Sequence, residues 1–166
     1  MDVRVRDVAE SDAEGIVAIL NPIIAAGEYT VLDSPVTVEF ERGYITGFPQ
    51  RGIFCVAEAV DDGRIAGFQS LEPYATYTRA FDHVGVMGTF VDLGCRHCGI
   101  GMALAKYTFG AARRRSYEKI FTYVRVNNVD SLAYHLKLGF RIVGTAVRQA
   151  KIGHIYVDEV IIEKLL

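Results

Sequence analysis

The segment Arg96-His97-Cys98-Gly99-Ile100-Gly101 constrains this chain more than any other. It follows an apolar run, Val84 to Val91, short enough to be a buried central strand. It opens the strongest helical pattern in the chain, Gly99 to Arg115, with Met102, Ala103, Leu104, Ala105 and Phe109. Arg113-Arg114-Arg115 ends that helix, where cations suit the negative terminus of the helix dipole and read most simply as a solvated end. A strand that turns through glycines into a helix presents unpaired backbone N–H groups and a positive dipole end, which together suit a pyrophosphate. Glycine lets the anion approach the backbone and tolerates positive φ. The spacing alone also describes an ordinary glycine-rich turn. It is not a dinucleotide fingerprint, because the third glycine would fall at Leu104. No Gly-Lys-Ser/Thr follows, so it is not a P-loop.

The rest of the chain alternates strand and helix signals around this unit. Val3 and Val5 read as a first strand. Asp7 or Ser11 caps a helix with Ile16, Val17, Ile19 and Leu20 on one face, interrupted at Asn21-Pro22 and continued to Gly27. A second helix covers roughly Val36 to Gly47, with Pro35 at its start. Ile53 to Val60 and Arg64 to Leu71 are strands joined by the turn Asp61-Asp62-Gly63. Pro73 to Phe81 is an aromatic loop. Lys119 to Val126 is a strand, Val129 to Leu138 a helix stopped by Gly139, and Phe140 to Val147 and Ile155 to Ile162 the last strands. One βαβ crossover among hairpins predicts an α+β domain with a mixed sheet.

Composition narrows the function classes. The 166 residues favour one domain, and 51% hydrophobic with 23% charged residues is a globular balance. A net charge of −2 gives no field that draws nucleic acid or a membrane surface. The N-terminus lacks the apolar stretch of a signal peptide, and no run approaches the roughly 18 apolar residues of a membrane span. The three cysteines, Cys55, Cys95 and Cys98, point to a reducing cytoplasm. Cys95-x-x-Cys98 with His97 lacks the second ligand pair of a structural zinc site, so no metal is expected.

A second constellation, Asn128-x-x-Ser131-x-x-x-His135-x-x-x-Gly139-Phe140, follows the next strand. The two patterns, one strand-and-helix unit apart, resemble the GNAT superfamily of N-acetyltransferases. Within it the chain is similar to the phosphinothricin acetyltransferase-like branch, through Tyr134-His135 before Gly139-Phe140 and through Asp33-x-Pro35-x-Thr37. The likeness covers essentially all of residues 1–166, including the closing strand Tyr156 to Val160. It implies a mostly antiparallel sheet of about seven strands, flanked by about four helices and splayed at the cofactor site. It implies transfer of acetyl from acetyl-coenzyme A to a primary amine of a small molecule by direct attack. Thr89, Phe90 and Val91 would present backbone groups to pantetheine and the acetyl carbonyl. His97, Cys98, Gly99, Ile100, Gly101 and Met102 would bind pyrophosphate through backbone amides, with Arg96 supporting the loop. Asn128 would contact the coenzyme on its far side.

The chain departs from the family inside the central strand. Related enzymes often carry a glutamate there, and this chain has Gly85, Val86, Met87 and Gly88. Glu72, at the end of the preceding strand, and His83, at the start of the central one, are substitute bases. His135 or Tyr134 could protonate the leaving thiolate. On a helix these neighbours point about 100° apart, so one of them faces the cofactor. Each has a plainer reading: Glu72 a solvated strand end, His83 a loop histidine, Tyr134 a core residue, His135 a helix-end histidine. Tyr74, Tyr77 and Arg79, with Phe81, either wall the acceptor pocket or pack a homodimer interface. Two other functions stay open: a degenerate acyl-coenzyme A-binding module, and transfer to a protein N-terminus or lysine.

Overall fold

In the computed structural model, which describes residues 1–166, β1 (Val3–Asp7) leads into α1 (Ala13–Ala26) and α2 (Val38–Thr46). The expected break at Asn21-Pro22 does not occur: α1 runs straight through Pro22 to a left-handed cap at Gly27. Asn21 serves elsewhere. Its amide accepts from the Val36 N–H at 2.8 Å and donates to the Val36 carbonyl at 3.0 Å, clasping the α1–α2 connection. α2 starts two residues later than the sequence suggests, because Thr37 is its N-cap and accepts from the Phe40 N–H.

β2 (Ile53–Ala59), β3 (Ile65–Pro73) and β4 (Val84–Val91) follow, each antiparallel to the strand before it, with β2 against β1. α3 (Ile100–Arg114) crosses to β5 (Lys119–Arg125), which lies parallel to β4. α4 (Val129–Lys137) precedes the hairpin of β6 (Arg141–Ile152) and β7 (Ile155–Leu165). The sheet order is β1-β2-β3-β4-β5-β7-β6, seven strands with one parallel pair. This is the mostly antiparallel, four-helix GNAT architecture expected from the sequence. No helix is long and apolar enough to cross a membrane.

Strand alternation sorts the two faces. Phe54, Val56 and Phe68 pack under α1 with Ile16, Leu20 and Ile23. Cys55, Ala57 and Ala66 pack with Ile100 and Leu104 of α3. Toward the C-terminal half, Leu71 and Met87 join Phe109, Ile120, Phe140 and Ile162. The final hairpin is longer than its sequence pattern. Its register shifts between Ala146 and Ala150, and Arg148 adopts φ 56° with its N–H on Asp158 Oδ1 at 2.6 Å. That bulge breaks the alternation by which the strand would be read.

Two polar contacts lock the core. Arg6 forks onto both oxygens of Asp12 at 2.7 and 2.8 Å and also bonds Glu58. Asp12 is 7% exposed and accepts from the Ala9 N–H as well. Burial works against its charge, yet the bonds from Arg6 and Ala9 hold its carboxyl below the ordinary range. His135 belongs to this core and is 5% exposed. Its Nδ1 meets the Ser131 carbonyl at 2.7 Å, its ring packs edge-on to Phe140, and Nε2 is buried without a partner. Burial therefore pushes its pKa down, despite the Ser131 bond, and keeps it neutral.

Two outcomes follow for stability. Asp12→Ala removes the two bonds from Arg6 and the bond from the Ala9 N–H, leaving Arg6 with Glu58 as its carboxylate partner, and lowers unfolding free energy by about 2 kcal/mol in a urea titration, since hydrogen bonds to charged groups are worth about 1.5–3 kcal/mol. The second concerns His135, whose folded pKa lies below its unfolded value of about 6.5. The unfolded chain binds its proton first as pH falls, so acidification below about 6.5 erodes stability at this site. His135→Gln flattens the fall of the melting temperature between roughly pH 7 and 5 relative to the wild type.

Candidate active site

β4 and β5 share only three register pairs, Val84 with Lys119, Gly85 with Ile120 and Val86 with Phe121. Thr122 marks the fork: its hydroxyl, buried, donates to the Met87 carbonyl at 2.6 Å. Beyond it the strands part. Backbone groups on a strand alternate sides. Met87 faces β5, so Thr89 and Val91 turn their N–H and C=O groups into the same gap, while Phe90 bonds toward β3.

The loop after β4 is wound tightly. Asp92 accepts from the Gly94 N–H at 2.8 Å, and a short helical turn, Leu93–Cys95, follows. His97 (φ 61°) and Gly99 (φ 81°) both take left-handed conformations, which brings the chain round to α3. The first helical bond inside α3 runs from the Ala103 N–H to the Gly99 carbonyl. The N–H groups of Ile100, Gly101 and Met102 are therefore free of helical partners. They open on a cleft of about 460 Å³.

That cleft gathers most of the predicted cofactor residues. Thr89, Phe90 and Val91 line one wall. Arg96, His97, Gly99, Ile100, Gly101 and Met102 line the loop side. Asn128 and Tyr134 line the opposite side. Cys98 does not: its side chain is exposed, and buried Cys95 takes a place in the wall, its Sγ accepting from Arg64 at 3.3 Å. No cluster of three metal-ligating side chains occurs.

Three side chains pin the α1–α2 connection over the cleft. The Arg96 guanidinium lies 3.9 Å from the Tyr29 ring centroid. Asn128 caps α4 by accepting from the Ser131 N–H and donates to the Tyr29 carbonyl at 3.3 Å. Arg125 donates to the carbonyls of Gly27 and Thr30 at 2.7 and 3.0 Å. Tyr29 was not singled out in the sequence, and no local pattern marks it.

Of the four candidate acid–base residues, one lies at the cleft. Tyr134 donates to the Gly101 carbonyl at 2.8 Å, and its ring stands 2.9 Å from where a Cβ on Gly101 would be. Burial pushes its hydroxyl up to about 12, against hydrogen bonds with Thr89 and Gln69. Gln69, fully buried, donates to Thr89 Oγ at 2.7 Å and leaves Oε1 without a partner. A polar residue inside an apolar return strand was the available signal for it. His135, the residue about 100° around the helix, corrects the sequence expectation: it points into the core and does not line the cleft. His83 is also displaced. It precedes β4 by one residue, so six residues at roughly 3.3 Å each put it about 20 Å from Thr89.

Glu72 lies on the other face, directly across β3–β4 from Val86. The Tyr44 hydroxyl donates to it at 2.5 Å. Burial and that carboxylate together raise the Tyr44 pKa, so the phenol stays protonated. Tyr74 packs edge-on to Phe121 beside this face. Tyr77 and Arg79 stand out in solvent, 82% and 98% exposed, and neither lines the cleft.

Comparison with known proteins agrees with this geometry. Residues 21–140 match the sequence model of the acetyltransferase (GNAT) family. The Bacillus subtilis protein YwnH is 28% identical over 130 residues, with 78% of each chain covered. The phosphinothricin N-acetyltransferase of Streptomyces coelicolor is 25% identical over 146 residues, covering 87% of this chain and 85% of that one. A phosphinothricin acetyltransferase of Sinorhizobium meliloti, solved in complex with AcCoA, superposes with a TM-score of 0.89 at 18% identity, over 100% of this chain and 89% of its own. The forked sheet, the amide-lined loop and the match over residues 21–140 make this chain a member of the GNAT acetyltransferase family.

Proposed function

We propose that the chain, acting as one domain over residues 1–166, moves an acetyl group from acetyl-coenzyme A to a primary amine of a small molecule. The fork between β4 and β5 carries this reading, because it leaves the Thr89 and Val91 backbone unpaired beside a row of free helix-terminal amides. Pantetheine extends along β4 as a strand would, and the pyrophosphate takes the amides of the loop at Gly99 to Met102. Asn128 and Arg96 act on the coenzyme site through the Tyr29 segment they hold. The relatives' names point to amino acid analogues as acceptors.

The reaction is direct. The amine nitrogen attacks the thioester carbonyl carbon, a C–N bond forms, and the C–S bond breaks as thiolate leaves. A backbone N–H in the fork stabilises the oxyanion. Glu72 takes the proton from the amine through a water, because it stands across from Val86, the strand position where an acid is missing. Tyr44 orients that carboxylate. Tyr134, held near 12, is too weak an acid to give its proton outright to a thiolate of pKa about 8.5. Its role is a hydrogen bond to the leaving sulfur, for which its single proton turns away from the Gly101 carbonyl. Cys55, Cys95 and Cys98 are free thiols, which suits a reducing cytoplasm. Tyr77 and Arg79, exposed and away from the cleft, suit a homodimer contact better than an acceptor pocket.

Coenzyme A raises the melting temperature, as a ligand of the folded state alone does, and thiol release requires both acetyl-coenzyme A and an amine. Coenzyme binding without turnover on a broad amine panel would refute the transfer reading. Glu72→Gln lowers kcat by about 10²–10⁴-fold, the usual worth of a general base, with the acetyl-coenzyme A KM little changed. Gly101→Val drives a side chain into the Tyr134 ring and raises the acetyl-coenzyme A KM at least about tenfold.

A further inference from the structure

Gln69 is fully buried in β3, and half of its amide is unused. Nε2 donates to Thr89 Oγ at 2.7 Å, while Oε1 is buried without a partner. A buried polar atom left unpaired is destabilising. The other buried residues of this strand, Ala66, Phe68 and Leu71, are all apolar. An apolar side chain of the same length would leave no atom unpaired, so packing alone gives no reason for glutamine at this position.

The contacts of Gln69 lead to the cleft. Gln69 and Thr89 are direct cross-strand partners on β3 and β4, so their side chains share a face. Thr89 and Tyr134 both line the cleft. Burial pushes the Tyr134 hydroxyl up to about 12, and Thr89 and Gln69 pull against it, as donors to a phenol oxygen do. A hydroxyl has one proton to give and two acceptor sites. The Gln69 amide fills one acceptor site on Thr89, so the Thr89 proton is left to be given, and the Tyr134 oxygen is there to take it. The Tyr134 proton in turn rests on the Gly101 carbonyl at 2.8 Å. That carbonyl lies in the first turn of α3, where the N–H four residues on, that of Ala105, also bonds it. It keeps a partner when the Tyr134 proton turns away.

We propose that Gln69 is a positioning residue for thioester cleavage: its amide sets the direction of a row of donors, Gln69 to Thr89 to Tyr134, whose last proton meets the leaving sulfur. The inference rests on the acyl-transfer reading above and deepens it. As the amine nitrogen bonds the carbonyl carbon, the C–S bond breaks and its electron pair goes to sulfur. The amine proton passes through water to Glu72, and Tyr134 keeps its own proton while bonding the thiolate. Each donor in the row polarises the next, so the Tyr134 hydroxyl makes a stronger bond with Thr89 behind it than alone. That bond strengthens as charge builds on sulfur, so it acts on the transition state more than on coenzyme binding. Gln69 does not line the cleft and acts through Thr89.

The test measures thiol release and melting temperature for a small set of variants. Gln69→Met keeps the length of the side chain and drops the amide; it lowers kcat about tenfold, the size of one hydrogen bond, with the acetyl-coenzyme A KM within about twofold of the wild type. Thr89→Val lowers kcat at least as much, and the double variant is no slower than Thr89→Val alone, since one missing link interrupts the row. The double variant melts no lower than the wild type, because both partners of the bond are replaced together and the unpaired Oε1 is gone. Gln69→Met added to Tyr134→Phe changes kcat no further. An unchanged kcat in Gln69→Met overturns the proposal and leaves acyl transfer standing. The same holds for losses that multiply in either double variant, or for a Gln69→Met, Thr89→Val protein that loses kcat and melting temperature together, the mark of a structural pair. No thiol release by the wild type with any amine, despite a coenzyme A thermal shift, overturns the acyl-transfer reading as well.

Discussion

Parallel strands β4 and β5 are zipped for three pairs and then separated, and the site depends on where that zipper stops. The Thr122 hydroxyl on the Met87 carbonyl satisfies the last backbone acceptor before the opening. Past it, β4 is paired on its β3 side and bare on the other. A strand edge inside a sheet is normally a liability, because unpaired N–H and C=O groups demand partners. Here a ligand arm of extended shape can serve as the absent neighbour. α3 has to begin just beyond the same edge, so its unpaired amides and the bare strand face one cleft.

The Arg96 to Gly101 loop was legible because glycines between an apolar run and a helix leave few alternatives. The positions inside it were less so. His97 takes a left-handed conformation that sequence reading would assign to glycine, and Cys95 rather than Cys98 reaches the cleft wall. The choice between Tyr134 and His135 could be framed as a choice but not made. Helical spacing separates the two side chains, and only the packing of His135 against Phe140 shows which is inside.

The missing acid on β4 illustrates what a one-dimensional reading leaves out. Val86 and Glu72 are 14 positions apart in the chain and direct cross-strand neighbours in the sheet. A carboxylate moved across that pair stays on the same face, since side chains opposite one another project together. The bulge in β6 and the helix that continues through Pro22 were likewise hidden. In both, tertiary contacts outweigh the local signal: Asp158 holds Arg148, and Val36 engages Asn21.

The α1–α2 connection is fastened almost entirely by side chains of other elements reaching its main chain. Asn21 clasps Val36, Arg125 takes the carbonyls of Gly27 and Thr30, and Asn128 takes that of Tyr29. Such bonds fix the path of a segment without reading its side chains. Leu32, Asp33 and Ser34, all exposed along this path, carry no share of the fastening. Residues along this strap can therefore be exchanged while its route, and the cleft that Tyr29 helps to line, stay as they are.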